Sequence, residues 1–255
     1  MSDPVAAPPE VRTRRRAVAG LVTPWALLVL GSASLLVAAA ALIGGWWLAS
    51  RGETNTAYTV PGALLGIELH IQSGDVTIFG GGQTGVSVVR TDRFAFGHRP
   101  RERRSVAHGI LRLSTSCPAL VVGSCSSSYR IELPDNVPIS VRDEDGSVHV
   151  ESYHGSADIA TNTGDITVEG YCGFVLGAAS AGGDVTVGTS CSPERLVLRS
   201  GSGSVDATVP AGNYRINAVS NGGRARVLGL VADNGAPWDI EALSNSGNVT
   251  VSAGT

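Results

Sequence analysis

The chain has 255 residues and a formal net charge of −3, and 43% of its residues are hydrophobic, 5% aromatic and 16% charged. This balance excludes the strongly basic composition with which nucleic-acid-binding domains hold phosphates, so we expect no nucleic acid partner. Thirty-three glycines beside few aromatic residues are typical of short strands joined by tight turns.

The N-terminal part predicts a membrane anchor. Residues 1–20 are rich in Pro, Ala and Arg and are expected to be a disordered cytoplasmic tail. Residues 21–48 carry no charge, and their length exceeds the roughly 20 residues that a helix needs to cross a bilayer. Trp25 near one end and Trp46 and Trp47 near the other occupy the positions of interfacial aromatic belts.

The arginines before this stretch predict its orientation. By the positive-inside rule they place the N-terminus in the cytoplasm and everything after residue 48 outside the cell. The prediction is a single-pass protein of the cell membrane. A cleaved signal peptide is the alternative, because W-L-A-S before Arg51 offers small residues, although signal h-regions are usually shorter, at about 7 to 15 residues.

The segment 49–62 is expected to be a short polar linker, and 63–255 the extracytoplasmic domain. In 63–135 the pattern predicts a first coil and then an antiparallel cap with strands at 86–90, 110–114 and 129–133. A polar loop with an arginine cluster separates the first two cap strands. From residue 136 to 255 the coils are expected to be continuous.

A glycine-centred pattern recurs through the domain. Apolar residues stand seven and five positions before the glycine and two and four positions after it, which is the alternation of strands with one buried face. Strands that pair with their equivalents on neighbouring coils are parallel, so the pattern predicts an all-β parallel β-solenoid (β-helix) of about seven short coils. The glycines that fit are Gly74, Gly146, Gly164, Gly183, Gly203, Gly223 and Gly247.

Two further columns accompany the glycines. The residue three before the glycine is Ser or Thr in the last five coils and is expected to point inward, where hydroxyls bond to each other and to turn backbone. The residue after the glycine is Asp75, Asp165 or Asp184 in three coils but Ser, Arg or Asn in the others. These positions therefore do not supply a continuous column of calcium ligands, and we expect their side chains to form hydrogen bonds in the turns.

Four cysteines form an even set. Cys172 and Cys191 each lie eight residues after a template glycine, so on consecutive coils they would be about 4.8 Å apart, within disulfide reach. Cys117 and Cys125 would close a local loop. Disulfides would place the domain in an oxidising compartment, whereas free buried thiols are the alternative.

The repeats N-T-G-D-I-T-V, A-G-G-D-V-T-V-G and S-N-S-G-N-V-T-V resemble a bacterial family of β-strand-repeat domains known as putative adhesins. The blocks T-D-R-F, L-R-L-S-T-S-C-P and S-C-S-S-S-Y-R-I-E-L-P extend the resemblance over roughly residues 62–255. The resemblance implies a surface-exposed β-solenoid with adhesion or envelope-related roles and no established enzyme activity. The G-R-A-R stretch at 223–226 and the longer last coil depart from the pattern.

Ionisable residues are densest at 142–145, with His149, Glu151 and His154 nearby. A carboxylate pair on a solenoid face could hydrolyse glycans, but the short turns build no walled cleft. We therefore predict no catalytic residue, no metal site and no cofactor.

The arginine-rich loop is the candidate binding site. Beside Phe94 and Phe96, its guanidinium groups could bind anionic wall polymers or lipid headgroups, although a charged loop is usually only solvated. The candidate polyanion-binding residues are Arg93, Arg99, Arg101, Arg103 and Arg104.

The end of the solenoid is a second kind of site. If the last coil has no cap, its unpaired edge suggests a homo-oligomer or a partner strand, unless the 229–238 insertion folds over it. The predicted function is a non-catalytic surface binding, adhesion or envelope-scaffold module, with a cell-wall polymer or another surface protein as partner. The alternatives are an accessory or sensor subunit of an envelope-stress system and a polysaccharide-acting β-helix enzyme.

Overall fold

The computed structural model describes residues 24–81, 85–118 and 125–254. The chain divides between Ala49 and Ser50 into two compact units, a helical one and an all-β one. The expected cytoplasmic tail, residues 1–20, lies outside the described residues.

The helical unit contains α1 (Pro24–Ala49). Among the residues that the structure describes, no helix is both long and apolar enough to cross a membrane. The transmembrane helix expected at 21–48 is therefore not confirmed.

The all-β unit consists of two ten-stranded sheets in the described part of the chain. The first sheet has the spatial order β1 (Gly52–Val60), β4 (Val86–Phe94), β7 (Cys125–Glu132), β3 (Val76–Phe79), β9 (Val148–Glu151), β11 (Ile166–Tyr171), β13 (Val185–Thr189), β15 (Val205–Val209), β20 (Val249–Ala253) and β17 (Ala225–Leu228). The second has the order β18 (Val231–Ala232), β16 (Asn213–Ser220), β19 (Asp239–Ser244), β14 (Arg195–Ser200), β12 (Val175–Ser180), β10 (Ala157–Thr161), β8 (Ile139–Asp143), β2 (Gly66–Ile71), β6 (Ile110–Ser116) and β5 (Arg101–Ala107). Only the β1–β4, β4–β7 and β5–β6 pairings among them are antiparallel.

Each template glycine connects a strand of the second sheet to the next strand of the first. We call these two strands a strand pair and name it after its glycine; for example, β10 and β11 form the Gly164 strand pair. The register expected from the glycine alignment is confirmed, because Ile139 lies opposite Ala157 and Ala157 opposite Leu176. Outside the Gly223 strand pair, the four apolar columns are buried and form the core between the two sheets.

The glycines are required by the close approach of neighbouring strand pairs. A Cβ atom on Gly164 would collide with the carbonyl oxygen of Gly146, and a Cβ on Gly183 with that of Gly164. Of the seven template glycines only Gly74 has a positive φ, so steric contact, and not left-handed backbone, excludes side chains at most of these turns.

The inward hydroxyl column connects each strand pair to its neighbour. The hydroxyl of Ser180 donates to the carbonyl oxygen of Gly164 at 2.8 Å and accepts the amide of Gly183 at 2.8 Å. Ser200 makes the same two contacts with Gly183 and Gly203. The predicted hydrogen bonds from this column to the turn backbone are therefore confirmed.

The residue after each glycine forms a second ladder. The Oδ1 atom of Asp165 accepts the amide of Asp184 at 2.8 Å, and Oδ1 of Asp184 accepts the amide of Ser204 at 2.7 Å. The expected hydrogen bonds are present, but they cross to the next strand pair and do not close the residue's own turn. Asp, Ser and Asn all serve, because each offers a side-chain oxygen.

Buried tyrosines fill the opposite side of the core. The Tyr171 hydroxyl shares its one proton between the carbonyl oxygens of Gly155 and Val175, at 2.9 and 2.7 Å, and Tyr214 donates to the carbonyl oxygen of Pro210 at 2.8 Å. The largest fully buried side chains of the described residues are Tyr129, Tyr153, Tyr171 and Tyr214.

Both expected disulfides are present. Cys172 and Cys191 join neighbouring strand pairs with their Cα atoms 5.0 Å apart, and Cys117 joins Cys125 at 5.7 Å. Cross-links of this kind are typical of proteins that fold in an oxidising compartment.

One end of the stack is capped. Strands β6 and β7 extend the two sheets in parallel beyond the Gly74 strand pair, and antiparallel strands β5, β4 and β1 follow. The expected linker 49–62 thus contains β1, and the expected arginine loop contains β5. Both strands were missed because neither shows an alternating apolar pattern.

The other end differs from the expectation. The Gly247 strand pair, last in the chain, lies between the Gly203 and Gly223 strand pairs, because β20 pairs with both β15 and β17. The 229–238 insertion provides the chain length for this return, and its β18 pairs with only two residues of β16. The prediction that the last coil forms the edge is therefore wrong; among the described residues, β17 is the last strand of the first sheet, and β18 follows β16 at the end of the second.

Candidate functional site

The five candidate arginines are distributed over two strands and a connecting loop. Arg93 on β4 pairs with Glu53 at 3.1 Å, and Arg99 lies over the ring of Phe94 at 4.8 Å. Arg104 lies over the ring of Tyr58 at 4.2 Å. Three of the five therefore have partners within the cap.

Arg101 and Arg103 form the remaining basic strip. They alternate along β5 with Glu102 and Arg104, which both contact Tyr58 of β1, so they face away from β1. Both are exposed, and neither forms an ion pair or a hydrogen bond with a described residue. The structure thus brings two of the five candidates together on one free face.

A groove adjoins this strip on the outer face of the second sheet. In the ladder Arg101 lies opposite Ser116 and Arg103 opposite Ser114, and both serines line the groove. Its volume is about 450 Å³, within the roughly 300 to 1,000 Å³ of small-molecule sites. The other lining residues are His70, Ile71, Gln72, Thr115, Arg142, Asp143, Glu144, Ala160 and Asn162.

A nearly buried ion cluster holds β5 in place. Arg90 bonds to Asp92 at 2.6 Å, to Glu102 at 2.9 Å and to the carbonyl oxygen of Pro100 at 3.2 Å. The Ser127 hydroxyl donates to Asp92 at 2.6 Å. Since Arg90 lies on the first sheet and Glu102 on the second, the cluster joins the two sheets at the capped end.

Two tyrosines complete the shell of Glu102. The hydroxyls of Tyr58 and Tyr129 each donate to its carboxylate at 3.0 Å. Burial, together with the charge of Glu102, raises the pKa of Tyr58 to about 12 and raises that of Tyr129 further. Both hydroxyls therefore stay protonated as donors, so the cluster is a structural plug that positions the basic strip.

Asp143 lies at the end of the hydroxyl column, between Ile71 and Thr161. It is 3% exposed, its Oδ1 accepts the amide of Asp145 at 3.1 Å, and its Oδ2 has no partner among the described residues. Burial, reinforced by the charges of Asp75, Asp145 and Glu144, raises the pKa of Asp143 to about 7.

The other ionisable residues near Asp143 do not converge on it. His149 and Glu151 are on the first sheet with 3.9 Å between their nearest charged atoms, and His154 pairs with Asp135 at 3.0 Å. Arg142 faces outward and pairs with Asp158. The ionisable residues that are dense in the sequence around 142–154 are thus divided between faces and sheets.

Comparison with known proteins finds similarity in solved structures only. No family model matches the chain, and no curated protein does. A putative cell adhesion protein from Clostridium sporogenes has 11% identity and a TM-score of 0.49, covering 80% of this chain and 100% of its own. A putative adhesin from Parabacteroides merdae has 9% identity and a TM-score of 0.38, covering 80% and 96%. One from Bacteroides fragilis has 14% identity and a TM-score of 0.31, covering 79% and 97%.

Proposed function

We propose that this chain is a non-catalytic binding module of the cell surface, which contacts an anionic polymer through Arg101 and Arg103. The observation that carries the proposal is that both guanidinium groups are free, face the same way and stand beside an open groove. Guanidinium groups pair with phosphates and carboxylates through charge-assisted hydrogen bonds.

The spacing of the strip suits a repeating ligand. Residues two apart on a strand are about 6.6 Å apart, so two charges can engage successive anionic groups of one chain. The serine hydroxyls at the groove wall supply neutral donors for the groups between them. Because the contact is exposed, binding should weaken as ionic strength rises.

The rest of the domain serves as a scaffold in this proposal. The alternation of parallel strands between two sheets supports a β-solenoid whose core is fixed by the glycine and hydroxyl columns. The two disulfides support folding outside the cytoplasm. The uncharged residues 21–48 are proposed as its attachment to the membrane, with the N-terminus inside.

The test is retention of the full chain on isolated cell-wall material and on long-chain polyphosphate, with neutral dextran as blank. We expect Arg101→Ser/Arg103→Ser to reduce retention about tenfold, as the loss of two charge-assisted contacts implies. Arg195→Ser/Arg199→Ser, which removes the same charge from two exposed positions of β14, is the matched control. Equal retention of the two double variants would overturn the proposal.

A further inference from the structure

The end of the stack formed by the Gly223 strand pair leaves the core open. Ala225 and Val227, whose equivalents in other strand pairs face inward, are exposed here, Val227 to 40%. In the neighbouring Gly247 strand pair the equivalents, Val249 and Val251, are fully buried. The β17 side of the apolar core therefore meets solvent at this end, whereas Ile216 and Ala218 on β16 are partly buried and Leu230 packs against the core.

The backbone at this end is also unpaired. Strand β17 pairs with β20 on one side, and on its other side no described strand is present. The carbonyl oxygen of Arg224 accepts the amide of Val249, so by alternation the backbone groups of Ala225 and Val227 point away from β20. An edge with free amides and carbonyls accepts a further strand.

The charge of this end is one-sided. Residues 207–232 contain three arginines and no Asp, Glu or Lys. Arg224 and Arg226 are exposed on and beside β17 and line a small cleft with Asn248 and Thr250. Two copies meeting end to end would bring these arginines together, which like-charge repulsion disfavours.

Arg224 also ends the oxygen ladder. The Oδ1 atom of Asn248 accepts the amide of Arg224 at 3.0 Å, as every earlier ladder residue does for the next. Arg224 has no side-chain acceptor to offer. A further strand pair of the same pattern would meet a guanidinium group where it needs an oxygen, so the edge is not suited to another unit of this repeat.

We propose that β17 receives an extended strand from another protein, apolar at alternate positions and acidic between them. Main-chain hydrogen bonds to Ala225 and Val227 would hold the strand, as in other cases of strand addition to a sheet edge. Its apolar side chains would cover the open core, and its carboxylates would pair with Arg224 and Arg226.

The experiment uses the full chain and two synthetic peptides, one alternating valine with glutamate and the other valine with lysine. We expect the glutamate peptide to bind at least about tenfold more tightly, because opposite charges steer and fix such contacts. Amide hydrogen exchange should slow at Ala225 and Val227 when it binds.

Charge reversal tests the assignment of the site. Arg224→Glu/Arg226→Glu should exchange the preference between the peptides, whereas Arg195→Glu/Arg199→Glu on β14, with the same change in net charge and outside both proposed sites, should leave it as it was. Equal binding of the two peptides, binding of neither, or no protection of Ala225 and Val227 would overturn the proposal. The proposal would also be overturned if the full chain self-associates and Val227→Lys abolishes that association, because a second copy would then occupy the edge.

Discussion

Asp143 lies directly opposite Thr161 in the ladder between β8 and β10, at the position that a hydroxyl residue fills in the next five strand pairs along the chain. A serine there gives one hydrogen bond to the preceding glycine carbonyl and accepts one from its own turn. A charged carboxylate can only accept, whereas a protonated one can donate. The carboxyl of Asp143 therefore fits the column in its neutral form.

The raised pKa of Asp143 makes stability depend on pH. A carboxyl whose pKa is about 7 in the folded protein binds its proton more tightly there than in the unfolded chain. Its stabilising contribution to the free energy of unfolding is therefore complete below the unfolded pKa and is lost as pH rises through about 7. Asp143→Ser should remove that loss, stabilising the protein at pH 8 by of the order of 3 kcal/mol. Urea unfolding at pH 5 and pH 8 measures the free energy of unfolding at both. If the difference between the two pH values is the same in the variant as in the original protein, Asp143 is not the group responsible.

Gly164→Ala should destabilise the fold by about 3 kcal/mol or more, because the added methyl group meets the backbone carbonyl of Gly146 and the strand pairs must separate. Gly188→Ala is the matched control, since its Cβ would lie 3.9 Å from the nearest atom, the carbonyl oxygen of Val168. Thermal unfolding of the two variants compares them. If both lose the same stability, strand propensity and not close approach would explain the glycines.

Glu102→Ala should cost about 3 to 5 kcal/mol, since it leaves Arg90 and two tyrosine hydroxyls without their partner in a nearly buried cluster. The side chains of Arg90 and Glu102 are 11% and 12% exposed. Glu241→Ala, which breaks the more exposed pair with Arg199, should cost about 1 kcal/mol or less. Denaturant titration measures the free energy of unfolding of both variants. A similar loss in both would show that the cluster around Glu102 contributes no more than an exposed ion pair.

Loss of the Cys172–Cys191 disulfide should destabilise the domain by about 3 kcal/mol, because it closes a loop between strand pairs, with a sequence separation of 19. Loss of Cys117–Cys125, with a separation of 8, should cost less on the same chain-entropy argument. Double serine variants of each pair, unfolded in urea, give the comparison. The reverse order would show that loop length does not govern the effect.

The register and the cysteine partners could be predicted from the sequence, because each depends on a count of residues from a glycine. Ala157 lies opposite Leu176 since both stand seven before a glycine, and Cys172 meets Cys191 by the same arithmetic. A local pattern of fixed period carries this information in every strand pair.

The order of the last two strand pairs could not be predicted. Every strand pair presents the same apolar columns, so Ile216 and Ile240 match the column of Leu196 equally well. The partner choice depends on the complete assembly, and no single strand encodes it. The cap strands were hidden for another reason: Glu102 and Arg104 face inward on β5, where an alternating pattern requires apolar residues.

The position of the Gly247 strand pair also constrains the order of assembly. A chain synthesised from its N-terminus completes β16 and β17 before β19 and β20 exist, so the Gly223 strand pair is made before its neighbour in the stack. Since the same apolar columns would match, it could dock on the Gly203 strand pair first, and such a docked pair would have to release to admit the last two strands. The final strands of the chain thus complete the stack from within, and a chain that stops before β19 would present a well-formed but wrongly ordered end.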